Sequence, residues 1–274
     1  MKVNSTFSNL QFLKLGGSLI TDKTRPHTLR PDVLKRLAEE IANVHSQGKD
    51  LELVIGNGAG SFAHVPAKKY GTRQGVHTPE EWHGFAEVWR EAAALNSVVT
   101  GALQDAGLPA IAIHPSSALI SNDGRVAAWD LAPLQAALRA GLVPVVHGDV
   151  IFDITRGGTI LSTEDLFEHL ARQLHPQRIL LAGLEEGVWA DYPACTQLIT
   201  EITPKNLGKI APSLGGSNAT DVTGGMHSKV QQSLALAREI PGLEIFIFSG
   251  EQPGAVQRAL EGLRVGTRVY APEE

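Results

Sequence analysis

The stretch Leu10-Gln11-Phe12-Leu13-Lys14-Leu15-Gly16-Gly17-Ser18 is an apolar run of strand length that ends in two glycines. Lys14 interrupts it, and a lysine at the end of a buried strand needs an anionic partner. A second apolar run, residues 51–55, closes on Gly56-Asn57-Gly58-Ala59-Gly60-Ser61, with His64 one turn into the helix that follows. Working outward, residues 110–113, 142–147, 178–182, 244–248 and 267–270 read as further strands. Helices fill the gaps. Residues 31–47 carry Val33, Leu34, Leu37, Ile41 and Val44 at helical spacing. Thr78-Pro79-Glu80-Glu81 is a capping box with proline at the first helical position, opening a helix to about Asp105. Further helices are expected over 130–139, 166–174, from 224 onward, and over 255–262. Residues 148–161 read as a hairpin with Gly157-Gly158 in its turn, and 190–220 as long loops with short strands. Alternating strands and helices predict an α/β fold, a three-layer αβα sandwich around a central, mostly parallel sheet. Ligands in such folds lie beyond the carboxyl ends of the strands, where these glycine loops fall.

The chain has 274 residues, 43% of them hydrophobic, with 24 Lys+Arg against 29 Asp+Glu. That is the composition of a folded globular protein, taken as one domain over 1–274 with approximate lobes 1–175 and 176–274. The single cysteine, Cys195, excludes an intrachain disulfide and a cysteine-based zinc site. Mild acidity argues against nucleic-acid binding. No apolar run approaches the roughly 18 residues of a membrane span, and residues 1–17 lack a signal-peptide pattern, so the expected address is the cytoplasm.

A third glycine cluster, Thr223-Gly224-Gly225-Met226-His227-Ser228-Lys229, opens the helix near 224. Glycine lets backbone N–H groups approach an anion, and a helix N-terminus adds unpaired N–H groups with partial positive charge. Singly, each cluster reads as a tight turn and each lysine as a solvated side chain. Three clusters with Lys14, Lys23 and Lys229 describe a site for several phosphate groups. The chain has no G-x-x-x-x-G-K-[ST], no G-x-S-x-G and no H-E-x-x-H. Gly58-Ala59-Gly60-Ser61-Phe62-Ala63 matches G-x-G-x-x-A, but no strand arrives until about residue 110, so the compact dinucleotide-binding unit is missing. Trp82, Phe85 and Trp89 lie at helical spacing and read most simply as core. Their functional reading is the wall of an apolar pocket beside the phosphate loops.

Together, Lys14-Leu-Gly-Gly-Ser18, Lys23, the Gly58-to-His64 loop and the Thr223-to-Lys229 helix start resemble the amino acid kinase superfamily, and within it the isopentenyl phosphate kinases. The resemblance spans residues 10–270. It implies ATP-dependent phosphorylation of isopentenyl phosphate, a step of isoprenoid biosynthesis, with Mg²⁺ accompanying the nucleotide and a homodimer as the usual assembly. By motif position, Lys14, Gly16, Gly17, Ser18 and Gly60 would cradle the ATP phosphates, and Lys23 would stabilise the transferring group. His64 would bind the acceptor phosphate beside Ala59 and Thr163. Glu186, Gly224, Gly225 and Lys229 would hold the nucleotide. Asp165 matches the acid that orients the lysines, and Asp149 matches a hairpin motif of the family. The departures are Asn57 for a histidine, Ala59 and Ala63 for glycines, Thr163 for the glycine of S-G-D-D, and Glu186 for the acid of D-G-V-Y. Fosfomycin kinase resembles the chain in the same loops, so a small phosphonate acceptor stays open. A nucleotide sensor without turnover is the third reading.

Overall fold

The structure is a computed structural model, described here for residues 7–48, 51–210 and 225–272. In chain order, β1 (Leu10–Leu15) leads through the short α1 (Gly17–Ile20) to α2 (Pro31–His45), β2 (Glu52–Asn57), α3 (Gly60–Tyr70) and α4 (Pro79–Asp105). Then come β3 (Ala110–Ala112), β4 (Leu119–Asn122), β5 (Arg125–Trp129), α5 (Ala132–Arg139), β6 (Val143–His147), β7 (Asp149–Asp153), β8 (Gly157–Leu161) and α6 (Thr163–Leu174). The remainder comprises β9 (Arg178–Gly183), β10 (Val188–Trp189), β11 (Leu198–Ile199), β12 (Glu201–Ile202), α7 (Leu207–Ile210), α8 (Gly225–Glu239), β13 (Glu244–Ser249), α9 (Ala255–Leu260) and β14 (Thr267–Tyr270).

Among the described residues, eight strands form one sheet in the order β12-β14-β13-β9-β1-β2-β6-β3. Every pairing in it is parallel except β13 with β14. Alternation along each strand builds the two cores, because successive side chains point to opposite faces. Phe12, Ile179, Leu181, Ile245 and Ile247 pack with Leu166, Phe167 and Leu170 of α6 and Val230 and Leu234 of α8. Leu13, Leu15, Leu180, Ala182, Phe246 and Phe248 pack with α2, α4 and α9 through residues such as Leu37, Leu95 and Val256. The sandwich expected from the sequence is therefore present. Lys14 follows the same alternation and falls on the face covered by α6.

The chain runs from β1 to β2 on one side and returns as β9 on the other side of β1. This reversal of strand order opens a crevice at the carboxyl ends of β1, β2 and β9, which is where such sheets bind ligands. The smaller sheet, β5-β4-β7-β8, flanks that crevice.

The Thr78 capping box is formed: its hydroxyl accepts from the Glu81 N–H, and the Glu81 carboxylate accepts from the Thr78 N–H. One expectation changes. The β7–β8 turn is made by Ile154, Thr155 and Arg156, while Gly157 and Gly158 begin β8. Phe85 explains the glycine, since a Cβ on Gly158 would lie 2.9 Å from its ring. Residues 115–129, where the pattern of the sequence announces no element, hold β4 and β5. Their burial alternates only along β4, and β5 is largely exposed, so the apolar signal is weak.

Candidate active site

The glycine loops meet before they meet any ligand. A Cβ on Gly17 would lie 2.4 Å from the Gly60 nitrogen, and one on Gly58 would lie 2.8 Å from the Gly17 nitrogen. Gly60 adopts φ +52°, which disfavours other residues, and its missing Cβ would strike Thr21. The loops after β1 and β2 are thus in backbone contact. This contact also decides which N–H groups remain for a phosphate. Gly16 donates to the Ala182 carbonyl and Gly58 to the Leu15 carbonyl. Gly17 and Ser18 open α1, and Gly60 opens α3, so their N–H groups have no helical acceptor. Gly16 lines the cavity but does not fit the role of N–H donor there.

Above the loops lies a cavity of about 570 Å³. Lys14, Lys23, His64 and Lys229 all line it, together with Gly17, Gly60, Asp149, Thr163 and Gly225. The halves 1–175 and 176–274 therefore both contribute cations to one space. Lys14 is ion-paired with Glu164, both side chains being mostly buried. Burial pushes the Glu164 carboxyl up, but Lys14 and Lys229 beside it pull harder, and the net effect lies below the ordinary carboxylate value. One carboxylate thus sits between two lysines that are 215 positions apart in the chain. Lys23 is exposed and makes no ion pair or hydrogen bond among the described residues. Its loop is fixed on both sides: Thr21 bridges Leu29, and the His27 N–H donates to the Ser61 carbonyl.

This arrangement corrects the role given to Asp165. Asp165 accepts from the Ser162 N–H and hydroxyl at 2.8 Å each and completes a capping box with Ser162. It points to the helix cap and to Arg73, not to the lysines. The helical turn separates neighbouring side chains by about 100°, so only Glu164 faces Lys14. The spacing Ser162-x-x-Asp165 is itself a cap signal legible in the sequence.

The aromatic wall is also corrected. Trp82, Phe85 and Trp89 do not line the cavity. Phe85 is buried behind it against Val76 and Val150, Trp82 packs on Phe85 and Phe152, and Trp89 is 44% exposed. The cavity wall is one turn further on: Val88 and Ala92 of α4, with Ala63 and Ala67 of α3 and Ile160 of β8. Small side chains form the surface, and the large rings support it from behind.

Other expected residues divide. Asp149 and Thr163 line the cavity, but both are committed. Asp149 accepts from the Ser116 and Val150 N–H groups, and the Thr163 hydroxyl donates to the Asn57 carbonyl. Ala59 lines the cavity as well. Glu186 is exposed and outside the lining, whereas its neighbours Glu185 and Gly187 line it. Gly224 lies outside the described residues. Arg73, which the sequence reading did not single out, lines the cavity and meets Asp165 at 3.4 Å.

Residues 9–249 match the model of the amino acid kinase family. The isopentenyl phosphate kinase of Methanocaldococcus jannaschii is 34% identical over 95% of this chain and 98% of its own. That of Methanothermobacter thermautotrophicus is 35% identical over 94% and 97%. An X-ray structure of an isopentenyl phosphate kinase superposes with a TM-score of 0.80 at 31% identity, covering 95% of this chain and all of that one. With the crevice, its lysines and these likenesses in agreement, the chain belongs to the amino acid kinase family.

Proposed function

We propose that the protein is a cytoplasmic kinase that transfers the γ-phosphoryl group of ATP to isopentenyl phosphate, giving isopentenyl diphosphate and ADP. The observation that carries this reading is one cavity in which lysines 14, 23 and 229 adjoin an apolar wall of Ala63, Ala67, Val88, Ala92 and Ile160. The cationic part suits a polyphosphate and the wall suits a short hydrocarbon tail. A carboxylate acceptor would leave that wall without a partner. The relatives named isopentenyl phosphate kinase support the same reading.

In the reaction, an oxygen of the acceptor phosphate bonds to the γ-phosphorus while the bond to the β–γ bridging oxygen breaks. Both groups are anionic, so catalysis rests on positioning and charge neutralisation. Lys14 and Lys229, held by Glu164, flank the nucleotide phosphates. Lys23 has no protein counter-ion among the described residues and is available for charge on the transferring group. The acceptor oxygen is already ionised, so His64 serves as a hydrogen-bond donor that orients it. Among the described residues no three His, Cys, Asp or Glu side chains gather as a metal site. Glu164 is committed to lysine and Asp149 to two N–H groups, which leaves Glu185 as the one uncommitted carboxylate among the described cavity residues, and a single carboxylate does not make a protein-held Mg²⁺ site. In this reading Mg²⁺ arrives on the nucleotide, and no step is assigned to it.

The test is ATP consumption with isopentenyl phosphate, dimethylallyl phosphate and fosfomycin as acceptors. Turnover on the two prenyl phosphates is expected. Turnover on fosfomycin alone would move the reading to a phosphonate kinase.

A further inference from the structure

We propose that Arg73 is a specificity-determining residue for the acceptor, its guanidinium binding the acceptor's anionic head at the first turn of α6. The inference deepens the proposed kinase reading and rests on it. Arg73 sits on the α3–α4 connection and is partly buried. Its backbone is fixed, because its carbonyl accepts from the Thr159 hydroxyl at 2.9 Å and from Arg156 Nη1 at 3.2 Å. Arg73 lines the same cavity as His64, Ser162 and Thr163.

The guanidinium is poorly satisfied where it stands. Nη2 makes one long contact to Asp165 at 3.4 Å, and Nη1 is buried without a hydrogen-bond partner among the described residues. The oxygen that Arg73 approaches also accepts from the Ser162 N–H and hydroxyl, so Arg73 is its third and most distant donor. A guanidinium offers five N–H donors in a planar fork that matches the oxygens of a phosphate. Most stable arginine pairs are two-point contacts, as Arg30 makes with Glu251 in this chain. Arg73 has no such contact among the described residues. The first turn of α6 presents the Thr163 and Glu164 N–H groups without helical acceptors in the same place, the Asp165 N–H being taken by the Ser162 hydroxyl. A phosphate there would meet these N–H groups, His64 and the fork of Arg73 together. The apolar wall of Val88, Ala92 and Ile160 would take the tail. In this arrangement Arg73 favours a phosphate monoester over a neutral alcohol of the same carbon skeleton.

The test compares the wild type with Arg73→Gln and Arg73→Lys. Loss of a hydrogen bond to a charged group predicts a rise of roughly 10- to 100-fold in KM for isopentenyl phosphate with Arg73→Gln. ATP affinity and Tm stay close to wild type, and Arg73→Lys recovers part of the loss. A second measurement reads the residue without turnover: calorimetric titration of inorganic phosphate into protein saturated with a non-hydrolysable ATP analogue. Weaker phosphate binding by Arg73→Gln is expected. Equal phosphate affinity and equal acceptor KM in the two proteins would overturn the assignment, even if isopentenyl phosphate is turned over. So would a lowered Tm with kcat reduced and KM unchanged, which is the signature of a bracing role. A wild type that ignores isopentenyl phosphate, yet binds phosphate through Arg73, would overturn the proposed substrate and leave the Arg73 assignment standing.

Discussion

The Lys14 ammonium at the end of β1 is ion-paired with the Glu164 carboxylate at the second residue of α6. The pair joins the strand at the sheet's reversal point to the helix that covers it, and Lys229 of α8 approaches the same carboxylate. Glu164 thereby pairs with Lys14 and attracts Lys229, and both lysines line the cavity.

Glu164→Gln removes that shared counter-ion. Turnover should fall by roughly 10- to 100-fold, the cost of a hydrogen bond between charged groups, with a smaller change in ATP KM. Glu164→Gln and Lys14→Ala should be strongly non-additive in steady-state kinetics, because each removes the same contact. Additive losses would show that the pair does not act as a unit.

Lys23→Ala should lower kcat by about 10²-fold or more while leaving both substrate affinities nearly unchanged, since its charge matters most in the transition state. A raised KM with normal kcat would contradict this placement.

His64→Ala should reduce kcat/KM for prenyl phosphates by roughly 10²-fold and leave ATP binding intact, as expected for a donor to the acceptor alone. Equilibrium binding of ATP beside acceptor kinetics separates the two effects.

Ala92→Phe places a ring into the apolar wall and should raise KM for isopentenyl phosphate by about 10-fold or more, because overpacking displaces the tail. Trp89→Ala, at an exposed position outside the cavity, should change kcat/KM by no more than about twofold. The opposite ranking would restore the aromatic stripe as the wall.

Acid should destabilise the fold through two buried groups with different windows. His147 is 1% exposed, and burial chiefly lowers its pKa from 6.5 to about 4. Between these values the unfolded chain binds the extra proton, so stability falls as pH drops from 6.5 toward 4, by about 3 kcal/mol. Asp153 acts lower. Burial raises its pKa, but the Ser121 hydroxyl and the Gly124, Arg156 and Thr155 N–H groups lower it to about 2. Its contribution of about 2 kcal/mol is present above pH 3.8 and is lost as pH falls toward 2. Melting temperatures across pH 2–8 should show both steps, and His147→Gln should flatten the upper one.

The sandwich was legible because alternation and helical spacing are local. Phe12 and Leu13, or Ile245 and Phe246, announce a strand buried on both faces, and Thr78 to Glu81 announces the long helix. The glycine loops and the three lysines were legible as motifs for the same reason. Only the tertiary structure could choose Glu164 over Asp165, since adjacent helical residues differ in direction and not in sequence signal. It alone put Val88 and Ala92 on the cavity and Trp89 in solvent. It alone brought Arg73 to α6 from the far end of α3. Sequence by itself determined most of the elements, β4 and β5 apart, and the chemistry they carry, through local backbone and burial preferences. Which side chains meet across such separations, 150 residues for Lys14 and Glu164 and 92 for Arg73 and Asp165, was decided by how the helices dock on the sheet.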